Sequence, residues 1–519
     1  MSWKSFKNKI ESQGVSETDF ILGIDLGNSS SAIAMFGTNR PEVIDLSGGY
    51  GKQSIPTVMQ YVPDTNEWVF GEYAVLNQGF GNELTIRSII DKLGLGEYVE
   101  IEKKLLGYSD ILTLFLKELI SNCYSINPKA EIAGIVLAVP EYLSEEAKSE
   151  LSRSLNRSGY GNALIQFATD NECILSQYYF DKPVEDEKIL ILDFGNRGMK
   201  GSVFEISSGA DGIKATSLAY MHSKDLSTEL IDQDVEQLFT EYYLQENEGK
   251  LTKQVKNLIS AFAYQHKDLL FQKKLTDRPT KLYFNFAYPP FQKMVTKEIV
   301  EDLIFSYRDK LQNFVSELCD RAYKQNGEVF ETIICTGGGF EMLWIREEVK
   351  NIFKGSNIVI NKYAKGIVAE GASVIAADKL SVIKTNRFNI EDNNKVQVDI
   401  GVKVKSNKSD RFIAIIEKNT FWWQKQESKM LIINEETDKP IFIELFKRDE
   451  NGQITSLDKL QLSGLPNRPK GATKIALDLE FDDYKKLIVT VKDFGFGELF
   501  KASDYKENFE VNICELGTI

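Results

Sequence analysis

The chain has 519 residues, with 62 Lys plus Arg against 76 Asp plus Glu, a formal net charge of −14. That balance argues against nucleic acid or an anionic membrane as the main partner, and the length allows roughly three to four structural units with a substantial core. Five cysteines (Cys123, Cys173, Cys319, Cys335, Cys514) and two histidines (His222, His266) indicate neither a disulfide framework nor a zinc or histidine-based centre. No stretch reaches ~18 apolar residues. Residues 1–13 (MSWKSFKNKIESQ) carry basic charges but no apolar run, so they do not read as a leader; 1–19 reads as an N-terminal extension, and a cytoplasmic location is expected.

In chain order, Ile21–Phe36 (ILGIDLGNSSSAIAMF) is the first element. It recurs as Ile189–Phe204 (ILILDFGNRGMKGSVF), identical in register at Ile, Leu, Asp, Gly, Asn and Phe. Each copy reads as a strand, a polar turn bearing Asp25 or Asp193 and Gly27 or Gly195, and a second strand. Glycine lets backbone amides approach an anion, and a carboxylate can hold a hydrated cation. Two such tips suggest a duplicated domain closing on a phosphate chain. Between them, Asp110–Cys123 has helical spacing, Ile132–Val139 is a buried strand ending at Pro140, and Ser144–Arg157 is a helix capped by Ser144 and stopped by Gly159. Helices are predicted at Glu229–Glu241, Lys253–Phe271 and Thr296–Lys324. Thr332–Phe353 reads as strand, Gly337-Gly338-Gly339 turn and helix, with the glycines placed to pass a flat ligand or an opposing helix. Gly366–Ala377 is a small-residue helix suited to close packing. Asn389–Lys395 reads as a linker. Beyond it, runs at Arg411–Glu417, Met430–Ile433, Ile441–Phe446, Lys474–Phe481 and Leu487–Val491, separated by turn signals, predict an all-β domain, a sandwich.

The order of motifs resembles the 70-kilodalton heat-shock (DnaK-type) chaperones over nearly all the chain after residue 20. Ile24-Asp25-Leu26-Gly27 and Asp193-Phe194-Gly195 resemble the two phosphate loops. Ser54–Tyr61 (SIPTVMQY), Ala138–Tyr142 (AVPEY), Asn171-Glu172 and Thr336–Gly339 fall in the family's order. Lys418-Asn419-Thr420 and Leu462–Pro466 with Pro469–Gly471 resemble its β-domain turns. Actin-fold sugar kinases share the hairpin repeat but not this C-terminal domain.

The resemblance implies a two-lobed actin-like ATPase fold followed by a β-sandwich substrate-binding-like domain, α/β plus all-β. Its expected limits are an extension at 1–19, a nucleotide-binding domain at 20–383 (lobes 20–188 and 189–383), a linker at 384–398 and the sandwich at 399–519. It implies ATP or ADP as ligand, with Asp25 and Asp193 orienting magnesium and Glu172 positioning water. The family's catalytic lysine aligns with Arg87, or alternatively with Lys92. Gly27, Asn28, Ser29, Gly195, Asn196, Arg197, Lys200 and Gly337–Gly339 would meet the nucleotide. Pro140 and Lys148 would couple the domains. Met430, Ile432, Ile441 and Ile443 would line a peptide groove for a protein or peptide client, with co-chaperones as further partners.

The departures cluster at the nucleotide. Asn28 and Ser29 replace paired threonines, and the second loop carries Asn196, Arg197, Gly198 and Lys200 in place of two glycines, a threonine and an aspartate. Ser227–Leu230 stands for the family's G-G-E-D turn, and Glu341 for an adenine-stacking arginine. Lys200 beside Asp193 opposes a divalent cation, so hydrolysis is expected to be slow or lost. Arg197, Lys200 and Arg87 either replace the metal or pair with carboxylates in an emptied cleft. The Lys405–Asp410 loop is polar where the family has an apolar arch, the helical lid is not seen, and Phe421-Trp422-Trp423 is an aromatic cluster of either core or partner type. Two functions are therefore expected: a nucleotide-regulated chaperone, or a pseudo-ATPase scaffold or nucleotide sensor for a dedicated partner.

Overall fold

The computed structural model describes residues 19–37, 39–46, 53–78, 83–140, 143–209, 212–247, 251–271, 279–322, 330–360, 364–385, 388–391, 395–405, 410–420, 422, 428–449, 451–481 and 486–511. Glu141, Tyr142, Phe421, Trp423 and most of the Lys405–Asp410 loop lie outside them. The content is mixed α/β, in two units, Met1–Glu391 and Asp392–Ile519.

The repeated sequence folds into repeated structure. In the first unit, Phe20–Leu26 runs parallel to Ile132–Val139, which runs parallel to Leu164–Thr169. On its other side Phe20–Leu26 pairs antiparallel with Ser30–Phe36, which is followed by Pro41–Val43. Glu187–Phe194 stands in the same place in a second sheet. It is parallel to Thr332–Thr336, itself parallel to Asn357–Ile360, and antiparallel to Met199–Gly209, which pairs with Gly212–Ser223. The registers correspond. Asp25 pairs with Ala32 and Ala138, and Asp193 pairs with Lys200 and Thr336.

A shared core holds the two sheets to each other. Ile21, Val136 and Ala138 from the first and Ile189, Ile191 and Phe204 from the second pack with the helices Asp170–Tyr178 and Gly366–Lys379. The second helix is buried on nearly every side, as its run of Gly, Ala, Val and Ile requires. A Cβ on Gly23 would come within 2.1 Å of Ala369 O, and one on Gly371 within 1.8 Å of Cys173 O. Glycine is what lets strand and helices approach here.

Local signals set most element ends. Ser144 Oγ accepts the Ala147 N–H at 3.2 Å, and Gly159 closes that helix at φ 98°. The predicted helices occur at Thr228–Glu246, Lys253–Phe271 and Lys297–Ala322. One expectation changes. The stretch read as a linker from Asn389 begins inside a strand, Phe388–Glu391, on the edge of the second sheet beside Ile213–Thr216. Phe388 and Ile390 pack against the shared core; two apolar residues at period two were masked by the polar run after them.

The second unit contains two four-stranded antiparallel sheets. One holds Asp399–Lys405, Asp410–Ile416, Ile441–Arg448 and Ile454–Leu462; the other holds Lys429–Ile433, Thr473–Phe481, Leu487–Gly495 and Lys506–Val511. Both contribute to one apolar core that includes Ile400, Leu445, Leu460, Ile475, Leu477 and Val489. Three of these strands (Asp399–Lys405, Ile454–Leu462, Lys506–Val511) are not legible in the sequence because polar and charged residues break up their apolar ones.

Candidate functional site

The first hairpin tip is held from behind by Thr57, within the SIPTVMQY segment. Its hydroxyl donates to Gly27 O at 2.7 Å and lies 2.8 Å from Ser31 Oγ, while its N–H donates to Ser29 O at 2.9 Å. The second tip closes on itself, with Gly195 N–H bonded to Gly198 O at 3.0 Å. Gly198 sits at φ 150°, where a Cβ would meet Ser223 O at 2.3 Å. The Thr228 and Glu229 N–H groups donate to Gly195 O and Asn196 O at 3.1 and 3.3 Å. Those helix N-terminal amides, capped further by Ser227, are thus used by the tip itself.

Asp193 and Lys200 are cross-strand partners, and their side chains meet at 3.3 Å. Lys200 Nζ also donates to Asp170 Oδ2 at 2.9 Å. These three side chains keep 19–27 % of their surface exposed, so the cluster borders solvent. Asp25 belongs to it electrostatically. Burial, then Asp170 and Asp193, pushes its carboxyl well above the usual range, against Lys200 and Lys365. Asp193 is also raised by burial, opposed chiefly by Lys200. Burial pulls Lys200 down, but Asp170, Asp193 and Tyr220 together hold its ammonium well above the ordinary lysine range. His222, the partner of Lys200 on the next strand, is lowered by burial and by that ammonium.

Arg197 is paired with Asp91, whose carboxylate also accepts from the Asn28 side chain; the Asp91 N–H returns a bond to Asn28 Oδ1 at 3.0 Å. Asp91 therefore ties one tip to the other. Both basic residues gained by the second tip, Arg197 and Lys200, are engaged by carboxylates.

The remaining expected site residues have protein neighbours of their own. Glu172 lies in the first turn of the helix Asp170–Tyr178, whose N-cap is Thr169. Its N–H donates to Thr169 Oγ1 at 3.2 Å, and burial pushes its carboxyl up, opposed by the Thr169 backbone and by Lys379. Asp170, two residues earlier, is the carboxylate that reaches Lys200. Arg87 lies with Glu236, Tyr264 and Asp232, and burial lowers it; Lys92 pairs with Glu97 at 2.9 Å. Gly337–Gly339 pack against protein: Cβ atoms there would meet Asp193 Oδ1 at 2.4 Å, Lys365 Cε at 2.3 Å and the Phe194 ring at 2.1 Å. Pro140 O accepts from Leu143 N at 3.1 Å, and Lys148 pairs with Glu145 at 2.8 Å.

The expected peptide groove divides. Met430 and Ile432 are exposed on the outer face of their sheet, whereas Ile441 and Ile443 are buried in the core. Alternate side chains of a strand point to opposite faces, and the two strands belong to different sheets, so the four cannot line one groove. Trp422 packs partly buried against the same core.

The donor set does not suit magnesium. That ion needs near-octahedral oxygen ligands and keeps several waters, and Lys200 stands among the oxygens it would use. Among the described residues no group of three His, Cys, Asp or Glu is arranged to hold a metal ion. No described helix is long and apolar enough to cross a membrane.

Comparison with known proteins places two profiles on the chain. A domain of unknown function (DUF8552) matches residues 395–513, and the C-terminal part of a family of unknown function (DUF5716) matches residues 40–261. The chain is similar to the chaperone protein DnaK of Thermosipho melanesiensis, 24 % identical over 93 % of this chain and 80 % of the relative. The corresponding protein of Thermotoga maritima is 24 % identical over 92 % and 79 %. That of Methanothermobacter thermautotrophicus is 22 % identical over 92 % and 78 %. The similarity is distant but runs nearly end to end.

Proposed function

We propose that the chain is a divergent, chaperone-type protein of the 70-kilodalton heat-shock class. In this reading a two-lobed actin-like body at 20–383 binds ATP or ADP, a linker at 384–398 follows, and a β-sandwich at 399–519 takes a protein or peptide client, in the cytoplasm and with co-chaperones as partners. One observation carries it: Asp25 and Asp193 occupy equivalent registers in two sheets of the same strand order, in a chain collinear with DnaK chaperones. The nucleotide's phosphates would meet the first tip, Gly27–Ser29, whose backbone Thr57 holds in place. Gly195 and Asn196 would face them from the second tip. Pro140 and Lys148 would carry the nucleotide state onward. Client contact is assigned to the exposed Met430 and Ile432.

A second reading is favoured by the pairing of Lys200 with Asp170 and Asp193 and of Arg197 with Asp91. Phosphoryl transfer relies on cations aimed at the transferred group, and here they neutralise the protein's own carboxylates. The body would then be a pseudo-ATPase scaffold or nucleotide sensor. Steady-state ATP turnover, measured beside an Asp193→Ala control, separates the two. Turnover clearly above the control supports the active chaperone, and none above it leaves the scaffold. ATP and ADP titrations decide whether either nucleotide binds.

A further inference from the structure

We propose that Lys200 is the resident cation of the hairpin site, and that this chain's nucleotide site works without magnesium. The inference rests on the nucleotide-binding reading for its ligand alone; the claim about the metal is independent of it.

In the first hairpin the residue opposite Asp25 is Ala32; in the second, the residue opposite Asp193 is Lys200. The duplicated frame therefore carries an ammonium at the one position where its other copy has a methyl group. Directly opposed cross-strand side chains lie close enough to interact strongly, so an ammonium here is delivered to Asp193 by the backbone itself. It reaches Asp193 at 3.3 Å and Asp170 at 2.9 Å, and acts on Asp25 as well.

The charge balance agrees. Asp170 and Asp193 both place carboxylate oxygens on the Lys200 ammonium, at 2.9 and 3.3 Å, so one fixed positive charge serves two neighbouring carboxylates. Without a fixed positive charge, these two neighbouring carboxylates would repel each other or take up protons. A divalent ion could supply that charge, but the ammonium already within hydrogen-bond distance of its ligands would repel it. Arg197 does not supply it, being spent on Asp91.

The experiment is run first without nucleotide. Full-length protein is titrated with Mn2+ and followed by electron paramagnetic resonance, and its melting is compared in MgCl2 and in EDTA. The wild type is expected to retain no Mn2+ and to melt identically in both buffers. Lys200→Met, which keeps the side chain's bulk, is expected to melt lower than wild type and to regain part of the loss with Mn2+. Mn2+ bound by the wild type and lost in Asp193→Asn would overturn the proposal. So would a Lys200→Met protein as stable as wild type. If Lys200→Met does not fold, the wild-type Mn2+ measurement decides alone. ATP and ADP are then titrated in EDTA and in magnesium, and affinities within about twofold of each other are expected for a site with a fixed cation. Strictly magnesium-dependent binding overturns the proposal. Absence of nucleotide binding in both buffers sinks the nucleotide reading instead, and leaves the metal measurement to judge Lys200.

Discussion

Arg468 and Asp493 meet in a bidentate pair at 2.7 Å with side chains 5 % and 0 % exposed, and Asp493 also accepts from Ser503 and the Gly495 backbone. Removing one partner of such a pair leaves a buried charge, so Asp493→Asn should cost about 3–5 kcal/mol, read from urea or thermal melts. These donors, chiefly Arg468, outweigh burial and hold the Asp493 carboxyl below its usual range. Its contribution is therefore full above the unfolded value of about 3.9 and lost as pH falls below that. Melting of the wild type at neutral and acid pH, beside Asp493→Asn, checks the sign: the difference between the two should shrink on acidification. Residue-scale reading of the sequence was uneven. Asp25 and Asp193 were found through their repeat, whereas Asp170, which faces Lys200, carries no such signal. Asp170 and Glu172 stand on one helical turn and differ only in direction, which their spacing does not encode.

At the scale of elements, the helix Gly366–Lys379 decides how closely the two sheets of the first unit approach. Gly371→Val would drive a side chain into the Cys173 backbone. Overpacking of this kind costs typically about 1–3 kcal/mol, and more is expected here because the obstruction is backbone; a lowered melting temperature would register it. In the second unit, Ile432 is 58 % exposed. Ile432→Glu should leave stability within about 0.5 kcal/mol and weaken binding of an apolar peptide, measured by fluorescence anisotropy. Unchanged peptide affinity would remove this face from the client site. Strands with unbroken apolar runs, such as Ile132–Val139, were legible because burial on both faces writes itself into every residue. Asp399–Lys405 and Lys506–Val511 were not, since half of each strand is charged.

Across the first unit, the two tips communicate through a residue belonging to neither. Asp91 holds Asn28 and Arg197 together, so Asp91→Ala should raise amide exchange at Gly27–Ser29 and at Gly195–Arg197 alike. Faster exchange confined to the first tip would argue against the link. The Arg197 side chain is 44 % exposed, and the expected loss of stability is accordingly small, about 1 kcal/mol or less. The sequence by itself determined the duplicated strand–turn–strand frame, the two carboxylates and the change to an all-β second unit. Each is written in residues that are neighbours in the chain, through periodicity, turn chemistry or repetition. Only the tertiary structure decided which groups those carboxylates meet. Asp170, Asp91 and Lys365 come from separate segments of the chain, and whether Lys200 and Arg197 await a ligand or satisfy the protein's own charges depends on distances that no spacing in the sequence encodes.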